Sequence, residues 1–307
     1  MKLPSCLYKR VHLFKTIREM MDSKVAEVTA IVSELRENVL RDKAIHCTEL
    51  GVSQERYCEY ELIVSLTTYG HRIYDVCLAI ESIMQGSLLP NRIVLWLGED
   101  FKGRTLPRAL QNQVNRGLEI QFCRDMMSYK KLIPSLNRYP NAIIVTIDDD
   151  MIYSQEMLEG LFQSYQCAPQ AIHANRLHNM TFSENGNLKS YLEWEQEVSV
   201  AKHPFFTTGG GVLFPPNSLP NETLNEAVFT QICGFADDVW FNAMAILNNT
   251  KIVKVETRSP KGTEYYPLIS VREQGLWEEN TNSNYCRNDE QIKAVFTKYA
   301  IYSKLNR

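Results

Sequence analysis

The chain has 307 residues, of which 44% are hydrophobic and 22% charged, a composition typical of a folded globular protein and incompatible with wholesale disorder. The 33 Lys and Arg against 36 Asp and Glu give a formal net charge of −3, so no global positive field is present to hold nucleic acid. Because single cores usually stop growing near ~250–300 residues, the length predicts one large domain with an appendage.

The cysteines and the apolar runs indicate where the protein resides. None of the 8 cysteines forms a C-x-x-C pair, which argues against a structural zinc site and favours reduced thiols. No apolar run approaches the ~18–20 residues that span a bilayer, and the start of the chain lacks the apolar core of a signal peptide. We therefore expect a cytoplasmic protein.

Residues 11–43 contain neither Gly nor Pro and predict one long helix within an N-terminal segment, residues 1–60. Apolar side chains recur there in steps of three and four if Arg18 fills one position: Val11, Phe14, Met21, Val25, Val28, Val32, Leu35 and Val39. A period near 3.5 is typical of helices that supercoil with a partner, so residues 11–43 predict a homo-oligomer. The alternative is an amphipathic helix packed on its own domain.

The N-terminal end of this segment is basic. Its Lys and Arg residues, with no Asp or Glu among them, are Lys2, Lys9, Arg10, Lys15 and Arg18. Such a segment suits peripheral contact with the anionic inner face of a membrane, at ~1 kcal/mol per basic residue. A solvated basic end is the alternative, and both stay open.

From Glu61 onward, short β-rich runs alternate with stretches of helical periodicity. We predict strands at 62–66, 93–97, 118–123 and 143–147, with helices between them. This alternation is typical of an α/β domain, here residues 61–307, with a parallel sheet covered by helices on both faces. Ligands of such sheets bind beyond the carboxyl ends of the strands.

Three aspartates follow the fourth strand directly: Asp148, Asp149 and Asp150. Adjacent carboxylates repel one another unless a cation lies between them, and Mg²⁺ or Mn²⁺ prefers oxygen ligands. The alternate residues Asp148 and Asp150 therefore predict a metal site, with Asp149 left to face a sugar hydroxyl. The alternative is an acidic turn that caps the next helix.

Further motifs lie where the same edge of the sheet is expected. Lys131 precedes the fourth strand and is suited to neutralise a diphosphate, the alternative being a solvated basic turn. The glycines Gly209, Gly210 and Gly211 let a backbone approach a ligand, or else mark a bulged strand start. Asp237 and Asp238 open a helix, where one can act as a general base or both can cap the helix and complement its dipole. Residues 288–291 (Asn-Asp-Glu-Gln) predict a capping box for the last helix.

These motifs, in their order, resemble bacterial GT-A glycosyltransferases that build surface polysaccharides. The resemblance covers roughly residues 61–300 and rests on Thr-Thr-Tyr-x-x-Arg, Lys-Leu-Ile-Pro, Ile-Asp-Asp-Asp-x-x-Tyr, Thr-Gly-Gly-Gly and Ala-Asp-Asp-x-Trp-Phe. It implies a GT-A fold and transfer of a sugar from a nucleotide-diphosphate donor, a UDP-sugar being favoured, to a saccharide or lipid-linked saccharide. The usual Asp-Asp-Gly-Ser after the second strand is replaced by residues 97–100 (Leu-Gly-Glu-Asp), which leaves the nucleotide open.

The resemblance also assigns roles to individual residues. Metal binding by Mn²⁺ or Mg²⁺ falls to Asp148 and Asp150, and the acceptor side to Gly209, Gly210 and Gly211. The base is Asp238, with Asp237 as its substitute, in an inverting reaction. Nucleotide binding falls to Thr67, Thr68, Tyr69, Arg72, Lys131, Asp148 and Asp149.

Two other classes of function compete with this interpretation. A nucleotidyltransferase also uses aspartates and Mg²⁺, but usually carries a glycine-rich loop after the first strand, where this chain has only Gly70. A non-catalytic scaffold could oligomerise through residues 11–43 and bind a saccharide. Pyrophosphate release would favour the first, and failure to bind any nucleotide the second.

Overall fold

The computed structural model describes residues 5–258, 263–268 and 286–305, without the side chains of residues 5–14 and Ala26. The strands are β1 (Leu62–Thr67), β2 (Arg92–Gly98), β3 (Leu118–Cys123), β4 (Ile143–Thr146), β5 (Met151–Tyr153), β6 (Ile172–Ala174), β7 (Leu177–Asn179), β8 (Pro204–Phe206), β9 (Val212–Phe214), β10 (Ile252–Lys254) and β11 (Tyr265–Pro267). The helices are α1 (Ser5–His46), α2 (Val76–Met84), α3 (Arg108–Asn115), α4 (Ile133–Arg138), α5 (Met157–Cys167), α6 (Glu226–Ile232), α7 (Asp237–Leu247), α8 (Arg287–Lys298) and α9 (Tyr302–Leu305).

The centre of the molecule is a seven-stranded sheet in the order β10-β6-β9-β4-β1-β2-β3. All neighbouring pairs are parallel except those of β9, which runs antiparallel to both β4 and β6. The four predicted strands are confirmed to within one residue at either end. The antiparallel β9 was not predicted, because an apolar run carries no sign of its direction.

Successive residues of the inner strands enter cores on opposite faces of the sheet. In β1, Leu62, Val64 and Leu66 belong to one buried cluster with residues of α2 and α5, whereas Ile63 joins a second cluster with residues of α7 and α8. Burial on both faces explains why these strands are continuous apolar runs instead of alternating ones. The α/β architecture with helices on both faces is therefore confirmed.

Among the side chains of α1 that the structure describes, those buried against the domain lie in its C-terminal quarter. Leu40 and Ala44 are buried in the same core as β1, and Arg41 donates a hydrogen bond to Asp75 at 2.9 Å. Arg36 donates from Nη2 to the carbonyl oxygen of Tyr153 at 2.9 Å, and its guanidinium lies over the ring of Tyr266. The N-terminal segment is therefore tied to the α/β domain at several points.

The apolar stripe of α1 faces away from this contact. Its members from Met21 to Val39 are 44–64% exposed. The alternative in which the stripe packs on the chain's own domain is therefore wrong for the described residues. Oligomerisation through residues 11–43 stays a prediction, and the side chains of Val11, Phe14 and most of the basic end lie outside the described residues. No described helix combines the length and apolarity needed to cross a bilayer.

A buried ion pair joins α2 to the end of α3. Arg116 donates from Nη1 and Nη2 to the two carboxylate oxygens of Glu81 at 2.7 and 3.1 Å, and both side chains are at most 2% exposed. Gln113 adds a third donor to Glu81 at 3.0 Å. Because removal of one partner leaves a buried charge unpaired, this ion pair holds α2 and the end of α3 in a fixed relative position.

The seven cysteines whose side chains are described are free thiols.

Candidate functional site

A cavity of about 640 Å³ opens where the parallel strands β1 and β4 end. Because β9 is antiparallel, the loop that precedes it reaches the same edge of the sheet. The cavity brings together predicted residues from five separate motifs: Thr67, Thr68, Tyr69, Arg72, Lys131, Asp148, Asp149, Asp150, Gly209, Asp237 and Asp238. Gly210 and Gly211, predicted on the acceptor side, do not line it.

Asp149 fastens the loop after β1 to the loop after β4. Its Oδ2 accepts from the Thr68 hydroxyl at 2.5 Å, and its Oδ1 accepts from Arg72 Nη1 at 2.9 Å. The side chain is only 7% exposed. With both oxygens engaged, Asp149 positions Thr68 and Arg72, and the expected contact with a sugar hydroxyl stays a prediction.

Asp148 and Asp150 are the more accessible carboxylates of the triplet, with side chains 31% and 28% exposed. Burial, and then the neighbouring Asp148 and Asp149 carboxylates, raise the pKa of Asp150 to about 6. Arg72 donates to Asp150 Oδ2 at 3.0 Å, and Lys131 Nζ donates to Asp148 Oδ1 at 2.5 Å. Asp148 and Asp150 therefore both lie at the cavity wall, and the negative charge of Asp148 opposes the ionisation of Asp150.

Tyr153 and Gly209 shape the backbone around Asp148. The Tyr153 hydroxyl accepts from the Asp148 N–H at 2.8 Å and donates to the Gly209 carbonyl at 2.7 Å. A Cβ on Gly209 would lie 2.3 Å from Asp148 Oδ2, so a side chain there would displace the carboxylate. Gly210 is equally constrained by Arg176, whose Cβ would be 2.6 Å away. The glycines thus allow close packing of this loop against the acidic loop.

Lys131 connects the acidic triplet to the aspartates of α7. Its carbonyl accepts from the Ser65 hydroxyl at 2.6 Å, which fixes the turn before α4 onto β1. Its ammonium group lies 3.3 Å from Asp237 Oδ2 and donates to the Thr208 hydroxyl at 2.8 Å. Together with the contact to Asp148, this places one buried cation between two acidic groups.

Asp237 and Asp238 do not cap α7. The helix begins at Asp237, and Ala236 occupies the capping position without a side-chain hydrogen bond. Asp237 Oδ1 instead accepts from the Ser128 hydroxyl at 2.7 Å. Asp238 Oδ1 accepts both the N–H and the hydroxyl of Thr208, at 2.8 and 2.7 Å. Both carboxylates are therefore directed at the cavity, and their position in the first turn still complements the helix dipole.

The surroundings of Asp238 bring the titration of its carboxyl group close to neutral pH. Burial, followed by the adjacent Asp237 carboxylate, raises the pKa of Asp238 to about 7, while Lys131 and the Thr208 hydrogen bonds oppose the rise. Among the described residues, no side chain or N–H hydrogen-bonds to Asp238 Oδ2. This oxygen can therefore accept a proton from a bound hydroxyl near neutral pH.

The acidic groups of the cavity suit a divalent cation. In the described ion pairs, four carboxylates (Asp148–Asp150 and Asp237) share only Arg72 and Lys131, and Asp238 adds a fifth carboxylate that forms no ion pair with a described residue. The residual negative charge and the raised pKa of Asp150 are both relieved by a cation. No cluster of three or more metal-ligating side chains occurs within the described ranges. Further ligands would therefore come from water or substrate phosphates, as is usual for Mg²⁺.

Several residues of the site were not predicted as functional. Thr208 and Tyr153 were seen only as parts of motifs, and Arg176, Tyr191 and Asn288 also line the cavity. The predicted capping box at 288–291 is wrong, because α8 begins at Arg287 with Cys286 in the capping position, and Asp289 instead accepts from Ser190 and the Tyr191 N–H, at 2.6 and 2.7 Å. Of these residues, Thr208 alone had a signal in the sequence that could have placed it in the site, its position directly before Gly209–Gly211.

Comparisons with known proteins give a fold-level likeness only. No protein-family model matches the chain, and no curated protein matches its sequence. Among solved structures 221 chains match, one of them the crystal structure of TarS 1–349 from S. aureus. That match has 10% sequence identity and a TM-score of 0.45, and covers 78% of this chain and 72% of that chain. At this level the likeness does not bear on function.

Proposed function

We propose that the protein is a metal-dependent glycosyltransferase that moves a sugar from a nucleotide-diphosphate donor, with a UDP-sugar favoured, to a hydroxyl of a saccharide or lipid-linked saccharide. The observation that carries the proposal is the arrangement of two acidic groups in one cavity. Asp148 and Asp150 form one, Asp238 with a pKa of about 7 belongs to the other, and Lys131 lies between them.

The donor end of the cavity is the loop after β1. Tyr69 exposes 46% of its side chain there, and the Arg72 guanidinium lies 5.1 Å from the centre of its ring. An exposed aromatic face with a fixed cation beside it suits a nucleoside base and its ribose. Thr67, Thr68 and Arg72 would complete the nucleotide contacts.

The diphosphate would lie between Lys131 and the metal. Asp148 and Asp150 would hold Mn²⁺ or Mg²⁺, which supplies positive charge to the diphosphate. Lys131 is only 5% exposed, and its contacts with Asp148 and Asp237 keep its pKa above the ordinary value despite burial. It therefore stays charged at any working pH and stabilises negative charge on the departing phosphate.

Transfer itself requires one proton movement. The acceptor oxygen attacks the anomeric carbon as its proton passes to Asp238 Oδ2, and the bond from that carbon to the diphosphate breaks. The nucleoside diphosphate leaves with the electron pair, and the configuration at the anomeric carbon is inverted. A positioned base of this kind typically contributes ~10²–10⁴-fold to the rate.

The proposal is tested by thermal-shift titration of the full chain with UDP, GDP, CMP and dTDP, each with Mn²⁺ and with a chelator. A ligand at ~100 times its Kd adds about 2.7 kcal/mol to the free energy of unfolding. We expect one nucleotide to raise the melting temperature only with metal. If none does, the acidic triplet is a structural turn and a scaffold role is favoured instead.

A further inference from the structure

Arg176, which directly precedes β7, lines the cavity and uses neither Nη atom of its guanidinium in a hydrogen bond to a described residue. Its side chain is 24% exposed and lies 6.0 Å from the ring centre of Tyr265. Nε is 3.3 Å from an oxygen of the exposed Glu197, but the geometry is not that of a hydrogen bond. Neither Nη atom donates to a described residue. A fixed, unengaged fork is the group that binds carboxylates and phosphates in a bidentate manner.

Two buried polar atoms on the same cavity wall also lack partners. Thr207 Oγ1 and Asn288 Oδ1 hydrogen-bond to none of the described residues, although their side chains are 5% and 8% exposed. Leaving such an atom unpaired costs ~1–3 kcal/mol, so each one calls for a ligand or water. Rotation of either side chain toward the cavity would bring its atom within reach of a saccharide hydroxyl, which is both a donor and an acceptor.

The loop around Tyr191 brings these groups next to the proposed base. Asp289 in α8 accepts from the backbone N–H of Tyr191, which holds the start of α8 against the Tyr191 loop, and Asn288 lines the same cavity. Tyr191 lines the cavity, where burial and then the Asp238 charge raise its pKa, while Arg176 opposes the rise. On the other side, Thr207 precedes Thr208, the residue that binds Asp238. Because the Thr207 N–H donates to the Arg176 carbonyl at 3.4 Å, the Arg176 end is joined to the loop that holds Asp238.

We infer that this end of the cavity, formed by Arg176, Tyr191, Thr207 and Asn288, binds an acceptor sugar that carries an anionic group, a carboxylate or a phosphate, against Arg176. The inference rests on the proposed function and adds the chemical class of the acceptor. A neutral sugar would leave the guanidinium fork without a partner inside the cavity.

The test is saturation-transfer NMR on the full chain, loaded with diamagnetic Mg²⁺ and the nucleotide found by thermal shift. The probes are glucose, glucuronate and glucose 6-phosphate. We expect one or both anionic probes to bind at least about tenfold more tightly than glucose, the effect of one charge-assisted hydrogen-bonded pair. The carboxylate and phosphate arms distinguish the two sources of charge. Equal binding of all three probes would overturn the inference.

Variants locate the effect at Arg176. Arg176→Gln should remove the preference for the anionic probe, whereas Arg108→Gln, an exposed arginine outside the cavity, should keep it. Glu197→Gln removes the competing carboxylate and should tighten anion binding, which keeps the test informative should Arg176→Gln fold poorly. An anion preference that survives in Arg176→Gln, or falls in Glu197→Gln, contradicts the assignment.

The nucleotide titration separates this inference from the proposed function. If the nucleotide still binds with metal but the anionic probes show no preference, the transferase proposal stands and the acceptor class is wrong. If no nucleotide binds, the transferase proposal itself fails.

Discussion

The backbone N–H and the hydroxyl of Thr208 both donate to the same oxygen of Asp238, at 2.8 and 2.7 Å. The same hydroxyl accepts from Lys131 Nζ at 2.8 Å, so its lone pair and its proton serve two different partners. One carboxylate oxygen is thereby fixed and the other is left to face the cavity. Thr208 thus positions Asp238 and, by bonding to its charged form, limits the rise of its pKa.

The pH dependence of transfer should follow Asp238. Since the base must be ionised, turnover should fall as the pH drops below about 7. Thr208→Val removes one hydrogen bond to the charged form, so the pKa should rise and this limb should move about one pH unit upward. Thr208→Ser should leave it in place. Steady-state pH–rate profiles decide the matter, and an unmoved limb in Thr208→Val would remove Thr208 from this role.

Replacement of the base should separate chemistry from binding. Asp238→Asn should lower turnover by ~10²–10⁴-fold and leave nucleotide affinity unchanged, because the side chain keeps its shape and loses only its proton acceptor. Asp237→Asn, next to it, should cost only about tenfold, the effect of one charge-assisted contact. Turnover and calorimetric nucleotide affinity are measured together. Equal losses of affinity and turnover in Asp238→Asn would make it a binding or structural residue.

Loss of a metal ligand should be detectable from nucleotide binding alone, without a measurement of turnover. Asp150→Ala should abolish the metal-dependent part of the nucleotide-induced rise in melting temperature, since one of two carboxylate ligands is gone. Asp100→Ala removes an exposed carboxylate outside the cavity and should change nothing. A metal-dependent shift of full size in Asp150→Ala would contradict the assignment of the ion to Asp148 and Asp150.

Loss of the buried ion pair between Glu81 and Arg116 should lower the free energy of unfolding more than loss of an exposed ion pair. Glu81→Gln leaves the Arg116 charge buried without its counter-ion and should lower the free energy of unfolding by ~3–5 kcal/mol. Glu27→Gln breaks the exposed pair with Lys24 and should cost less than ~1 kcal/mol. Urea denaturation compares the two. Similar small losses would mean that water reaches Arg116 in the native state.

Association through residues 11–43 predicts a face-specific effect of charge. Val32→Glu introduces a carboxylate into the exposed apolar stripe and should lower the mass measured by light scattering toward that of one chain. Ala30→Glu adds the same charge on the exposed helix surface away from the stripe and should leave the mass unchanged. A wild-type protein that is monomeric at all concentrations would refute the oligomer.

The sequence was sufficient where periodicity and strand ends carry the information. Strands β1 to β4 and the acids that follow β4 were recognisable from neighbouring residues alone. Burial on both faces gives a continuous apolar run, and polar residues directly after such a run indicate the end of a strand. The direction of β9 and the grouping of Arg176 with Asn288 were not, since both depend on contacts between distant parts of the chain. Asp237 and Asp289 resembled helix caps because acids favour first turns for electrostatic reasons, whatever else their side chains bind.

Tyr153 is bound at both ends, by Arg36 of α1 through its carbonyl and by the loop of Asp148 and Gly209 through its hydroxyl. Helix α1 therefore also helps to hold the loop of Asp148–Asp150 in position. A shortened chain that begins after His46 would lose this support along with the apolar stripe. Truncation is thus an unsuitable route to a monomeric control, because it would disturb the cavity and the assembly in the same step.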